Sequence, residues 1–248
     1  MSEEILINVT AMETRVAVIE SGLLQEIFIE RHNHRGHVGD IFHGKVIRVM
    51  PGMEAAFVDI GLEKAAFIHA SDIAEIDVDG FETKDEGPKS IQQLLREGQF
   101  IVVQVVKDAI STKGARLTTH LTLPSRNIVY LPRSKHLGIS QRIENEGERQ
   151  RLLGQLDNCL EQESWDSHGG FIVRTAAQGG LAEEFCEDVR YLRRLWEKVK
   201  QRIERTKKIS TVYGEVPLYM RSPAILLQRT SKKFVSTTNN RWERSSNF

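Results

Sequence analysis

Between residues 36 and 119 the chain reads as five short apolar segments, each ended by a turn signal, and this pattern restricts the fold more than any other feature. Along 36–49, apolar Phe42, Val46 and other even positions oppose polar neighbours. That period of two marks a half-buried strand, because successive side chains leave opposite faces. Pro51-Gly52 forms a turn, followed by apolar 55–61 and 65–69. After an acidic loop, 100–107 and 113–119 close the series. Five such strands predict a small closed β-barrel of the OB type.

Composition narrows the reading less. Lys+Arg and Asp+Glu each total 34, so bulk charge does not announce a nucleic-acid protein, and any such surface must be local. No apolar run is long enough for a membrane span, and the acidic start is unlike a signal peptide. Cys159 and Cys186 form no CxxC pair; two free, buried thiols in a reducing cytoplasm are expected. His32, His34 and His37 lie in a polar linker with no Cys or carboxylate to complete a metal site, and read as a solvated hinge.

Before the barrel, 5–9, 15–19 and 23–29 are predicted strands, with Ser21-Gly22 between the last two. A meander this small does not stand alone, so a later segment should complete its sheet. Beyond the barrel, 127–132 and 169–176 read as strands. Helices are expected over 146–162, with apolar residues at 152, 153, 156 and 160, and from 181 past 205, with Phe185, Val189, Leu192, Leu195, Trp196 and Val199 on one face. The loop 72–86 holds seven acids against Lys84 and is expected to be a solvated excursion pointing away from any bound nucleic acid, whose phosphates it would repel.

The segments Gly44-x-Val46, Ala56-Phe57-Val58-Asp59-Ile60-Gly61, Ala66-Phe67-Ile68-His69-Ala70-Ser71-Asp72-Ile73 and Gly98-Gln99-x-Ile101-Val102-Val103-Gln104-Val105-x-Lys107 resemble the S1 domain, an RNA-binding OB fold. A short β segment precedes them, and Arg116-Leu117-Thr118-Thr119-x-Leu121-x-Leu123-Pro124-Ser125-Arg126 follows. That order resembles the ribonuclease E/G family over residues 1–217.

The resemblance implies a β-rich α+β chain. An S1 barrel (36–120) and a 5′-sensor α+β region (121–210) would be inserted into a partial RNase H-like subdomain begun by 1–35. From about Leu218 the resemblance is lost; 211–248 is expected to be a hinge remnant and a disordered tail outside the family, rich in basic and polar residues.

The implied activity is the substrate grip of a single-strand endoribonuclease acting in rRNA maturation and mRNA decay. Phe57 and Phe67 match its base-stacking aromatics, with Lys107 and Lys113 as cations on the same face. Sequence alone leaves ordinary core as an equal reading for both phenylalanines. The Ile172-Val173-Arg174-Thr175-Ala176 motif matches the pocket for a 5′-monophosphate. There Arg174 and Thr175 would hold the phosphate, Val129 would touch the terminal nucleotide, and Arg142 would add a further cation. A surface salt bridge is the plain alternative for Arg174. The intact family enzyme is expected to use Mg²⁺ for hydrolysis and to share Zn²⁺ between subunits of a homo-oligomer through a CPxC link. The sequence identifies ligands for neither ion: Asp40, Asp59 and Asp72 form no acidic cluster. Without a nuclease domain, the alternative is a non-catalytic RNA-binding module or a truncated product. Eight basic residues against two acids over 193–208 read equally as a phosphate track or a solvated helix face.

Overall fold

A computed structural model describes residues 3–31, 36–76, 80–82, 89–163, 165 and 169–214, together with the backbone of 232–238 and 241–245. The chain divides into two compact units, Met1–Gly36 with Glu215–Phe248 and His37–Gly214.

In the first unit β1 (Glu3–Val9), β2 (Glu13–Glu20) and β3 (Leu23–Arg31) form an antiparallel meander. Its second hairpin turns at Ser21 (φ 50°) and Gly22 (φ 82°), both left-handed, as a two-residue turn between twisted strands requires. Ile5, Ile7 and Val16 make a small core. The completing strand comes from the tail: β14 (Lys232–Thr238) lies parallel to β1, and β15 (Arg241–Ser245) pairs with β14. The expectation of disorder is therefore corrected for 232–238 and 241–245; residues 215–231, 239–240 and 246–248 of that tail lie outside the described residues. Phe234 with the β-branched Val235, Thr237 and Thr238 suits a strand once β1 supplies the ladder, although the polar composition of the tail alone argues otherwise.

The second unit opens with the barrel: β4 (Ile41–Met50), β5 (Ala55–Asp59), β6 (Ala66–His69), β7 (Phe100–Lys107) and β8 (Arg116–Thr118). They follow the order β4-β5-β6-β8-β7, and a β4–β7 pairing closes the ring. Inside are Phe42, Val46, Val58, Ile68, Val103 and Leu117, with Ile91 of α1 (Ile91–Leu94) packed among them.

Next, β9 (Leu123–Pro124), β10 (Ile128–Leu131), β11 (Leu137–Ile139) and β12 (Gly170–Val173) form a sheet in the order β11-β12-β10-β9. Two helices cover it, α2 (Glu146–Gln162) and α3 (Ala182–Arg205), with the expected Leu152, Leu156, Phe185, Val189 and Leu192 buried. Asn145 caps α2 by accepting from Glu148 N at 3.0 Å. Acidic Glu183 and Glu184 at the start of α3 and basic Arg202 and Arg205 at its end complement the helix dipole. Finally β13 (Ser210–Tyr213) returns to pair with β4, so 210–213 belongs to the barrel side of this unit rather than to a hinge. Ile41 and Val102 of the barrel pack into the core beneath α3, which makes barrel and helical layer continuous.

Two further expectations change. Cys159 and Cys186 are joined in a disulfide between α2 and α3, not free; their shared face at the α2–α3 contact brings together residues 27 apart in sequence. The acidic loop is not simply solvated. Asp72 ion-pairs with Arg116 at 2.9 Å and Glu75 with Lys89, and Glu82 is hydrogen-bonded to His120 Nδ1 at 2.9 Å. Residues 77–79 and 83–88 of that loop, and His32 and His34, lie outside the described residues.

Candidate nucleic-acid interface

Phe57 and Phe67 stand directly opposite each other on β5 and β6, flanked by buried Ala56, Val58, Ala66 and Ile68. By the alternation of a strand both therefore face outward. Phe57 is 39 % exposed and Phe67 is half-buried. In register, Arg48 of β4 stands opposite Phe57, Arg116 of β8 beside Phe67, and Lys107 of β7 opposite Arg116. The outer face thus carries the row Arg48–Phe57–Phe67–Arg116–Lys107, roughly 19 Å across at the usual strand spacing.

Both ends of the row depend on a bulge. The pairing shifts between Val46 and Arg48 and again between Val105 and Lys107. Under unbroken alternation Arg48 and Lys107 would point inward, in phase with Val46 and Val105; the bulges at Ile47 and Val106 re-aim both cations outward. Sequence reading missed Arg48 and Arg116. The available signal was a charge falling in phase with the buried positions at 42, 44 and 46.

Arg116 is held flat by Asp72 through two bonds, Nε–Oδ2 at 2.9 Å and Nη2–Oδ1 at 3.1 Å. An acid of the 72–86 loop therefore sits beside the row, contrary to the expectation that this loop points away. Lys113 is exposed in the β7–β8 hairpin end, where Ile110 and Lys113 exchange backbone bonds, and is not part of the row. Gly114 beside it is obligatory by contact, since a Cβ there would lie 1.8 Å from the Ala65 carbonyl oxygen.

A second cluster forms at the end of β12. Val129 pairs with Ile172 on the half-buried face of the sheet, two residues before Arg174 on the same side. Arg174 is exposed; its N–H donates to Asn127 O at 2.8 Å and its Nη1 to Ser125 O at 2.6 Å. Among the described residues no carboxylate ion-pairs with it. Thr175 opens a short 3-10 turn, and its hydroxyl lies 3.1 Å from Ser140 Oγ, which in turn accepts from Arg142 N at 3.4 Å. Ser140 thus brings the Arg142 loop against Thr175.

The frame around this cluster is polar and fixed. Asp188 of α3 accepts from Asn127 N at 2.8 Å, and burial pushes its carboxyl above the usual range despite that bond. Arg149 Nη1 donates to Ser140 O at 3.2 Å and Ile143 O at 3.1 Å. Glu148 accepts from Arg151 at 2.6 Å and from Gly179 N at 2.9 Å, and these bonds hold its carboxyl down at about 2. The cluster therefore offers an exposed guanidinium, a hydroxyl and an apolar side chain, with the Arg142 backbone beside them; a guanidinium next to a hydroxyl is chemistry suited to an anion.

Neither metal ion fits the described residues. Among them no three His, Cys, Asp or Glu side chains converge as ligands, and both cysteines are consumed by the disulfide. No described helix is long and apolar enough to cross a membrane.

Comparison with known proteins agrees with this layout. The S1 RNA binding domain matches residues 37–112, and the model of the ribonuclease E/G family matches 122–248. The tail expected to fall outside the family is therefore within it. Ribonuclease G of Salmonella typhimurium is 52% identical over 223 residues, 89% of this chain and 45% of its own length. Ribonuclease G of Haemophilus influenzae is 51% identical over 236 residues, 94% of this chain and 45% of its own. Ribonuclease E of Escherichia coli is 34% identical over 204 residues, 82% of this chain and 19% of its own. The chain thus spans less than half the length of the ribonuclease G relatives it matches. With an S1 barrel closed by β4–β7 and these matches along its length, the chain belongs to the ribonuclease E/G family.

Proposed function

We propose that this chain supplies the RNA grip and 5′-end sensing of a ribonuclease G-like single-strand endoribonuclease that acts in rRNA maturation and mRNA decay. Unpaired bases lie on Phe57 and Phe67, while Arg48, Lys107 and the nearby Lys113 meet the backbone phosphates. A 5′-monophosphate is held by Arg174, Thr175 and Arg142, with Val129 against the terminal nucleotide. The observation that carries the sensing role is the exposed Arg174 guanidinium, braced on the Ser125 carbonyl and free of any carboxylate partner among the described residues. Hydrolysis is assigned to Mg²⁺-binding residues outside those described, and a zinc-linked homo-oligomer is the corresponding assembly. A cytoplasmic location belongs to the same reading.

Arg174→Ala is expected to erase the preference for 5′-monophosphate over 5′-hydroxyl RNA, a loss of ~1.5–3 kcal/mol for a charge-assisted contact. Paired binding titrations measure this, and a retained preference rejects the sensor. A second reading, binding without cleavage, is favoured by the lack of a ligand cluster among the described residues. Incubating a 5′-monophosphorylated single strand with Mg²⁺ separates the two: cleavage by this chain alone eliminates the second reading.

A further inference from the structure

The outer face of β4 continues past the covered Ile41 to His43 and Lys45. The His43 ring stacks on Phe100 of β7 at 5.0 Å and 7°, and Lys45 Nζ stands 5.8 Å from the Phe100 ring. Phe100 is 42 % exposed. This stack is joined to the segment that follows α3: His43 Nδ1 is bonded to Lys208 O at 3.0 Å, and Ser210 is opposite His43 in register. Farther along β13, Val212 and Tyr213 line a cavity of about 400 Å³ whose rim carries Lys198 and Arg205. Ser210 and Tyr213 are three residues apart, so stack and cavity are separated by ~10 Å along one strand.

Exposed aromatics interleaved with cations are the arrangement that single strands use, one supplying a stacking surface and the other phosphate contacts. Over 198–208 there are six basic residues and one acid, Glu204. The C-terminal dipole of α3 opposes an anion by about half a charge, less than the two cations at the cavity supply. Asp59, opposite Lys45, is turned to accept from Gly61 N at 2.9 Å.

We propose that this face is a second contact for single-stranded RNA. A base extends the Phe100–His43 stack, and Lys198 and Arg205 hold phosphates of the same strand. It rests on the reading that the barrel takes unpaired RNA, and adds a stretch of strand that the Arg48–Lys107 row does not reach.

The test is anisotropy of a long 5′-hydroxyl oligouridylate titrated with the full chain over a range of salt. Phe100→Ala is expected to weaken binding by roughly fivefold or more, the loss of one base stack. Lys198→Gln with Arg205→Gln is expected to flatten the log K against log salt slope by ~1.4, two phosphates on a single strand. Phe57→Ala, run alongside, reports the first contact. If Phe57→Ala weakens binding while both new variants bind and respond to salt as the parent does, the second contact is overturned and the first stands. If only the new variants lose affinity, the second contact stands and the Phe57 assignment falls. Losses in all three support both contacts; losses in none reject both. Because Lys198 and Arg205 are exposed side chains, their slope change reads the contact even where Phe100→Ala disturbs the barrel.

Discussion

At the scale of single residues, the barrel face is decided by where two extra residues fall. Ile47 and Val106 each add one residue to a strand, and each places a cation outside that alternation alone would bury. Phe57 needs no such device, since Ala56 and Val58 on either side already point inward. Phe57→Ala should weaken binding to any single strand by ~1–3 kcal/mol, whatever its 5′ end, with little change in melting temperature. Titration against 5′-hydroxyl and 5′-monophosphate RNA measures it, and unchanged affinity returns Phe57 to a structural role. Gly114→Ala should behave oppositely. Its Cβ meets the Ala65 carbonyl, next to the Phe67 N–H bond to Ala115 O at 2.8 Å, so it should cost on the order of 1–3 kcal/mol of stability and disturb Phe67 as well. Thermal denaturation with parallel binding distinguishes the two substitutions.

At the scale of elements, α2 acts as a brace for the Thr175 turn. Its first turn presents Glu148 to Gly179 N and to Arg151, and Arg151 Nη1 donates to Gly180 O at 3.2 Å. Because the folded carboxyl titrates at about 2, below its ordinary value of 4.5, Glu148 contributes stability that is present above pH 4.5 and lost as pH falls toward 2. Wild type should therefore lose more stability than Glu148→Gln across that window, read as the denaturation midpoint at successive pH values; parallel curves would remove the brace. The disulfide ties α2 to α3. Closing a loop with a separation of 27 residues is worth ~3–4 kcal/mol in the chain-entropy account. Reductant should lower the melting temperature and release two titratable thiols; two thiols reacting before reductant is added would place both cysteines in the free state. A reducing cytoplasm would favour that open state.

At the scale of the whole molecule, His37–Gly214 encloses two cores, the barrel strands sending Ile41 and Val102 into the one beneath the helices, while the described residues of the unit formed by both ends of the chain make only a small one. The fragment 37–214 should consequently fold alone, keep cooperative unfolding, and retain the monophosphate preference assigned to Arg174. Circular dichroism melting and the same binding titration check this, and a fragment without a cooperative transition contradicts it. The first unit depends on contributions from both chain ends, because β1 is completed by β14 from more than two hundred residues away. Its β3 carries exposed Leu23, Leu24, Ile27, Phe28 and Ile29 along the sheet edge.

The sequence alone determined whatever depends on local periodicity and turn chemistry: the barrel strands, the span of α2, the buried stripe of α3 and the need for a strand to finish the first meander. Family motifs in order were enough to single out Phe57, Phe67, Arg174 and Thr175 as candidates. Tertiary structure decided what depends on partners distant in the chain. Bulges are a relation between two strands, so no single strand announces that Arg48 and Lys107 turn outward. Asp72 beside Arg116, Ser140 against Thr175 and Cys159 joined to Cys186 are likewise encounters between segments 27 to 44 residues apart. The tail gave the clearest contrast, since a polar stretch with little apolar content becomes a strand only when a neighbouring backbone offers its unpaired N–H and C=O groups.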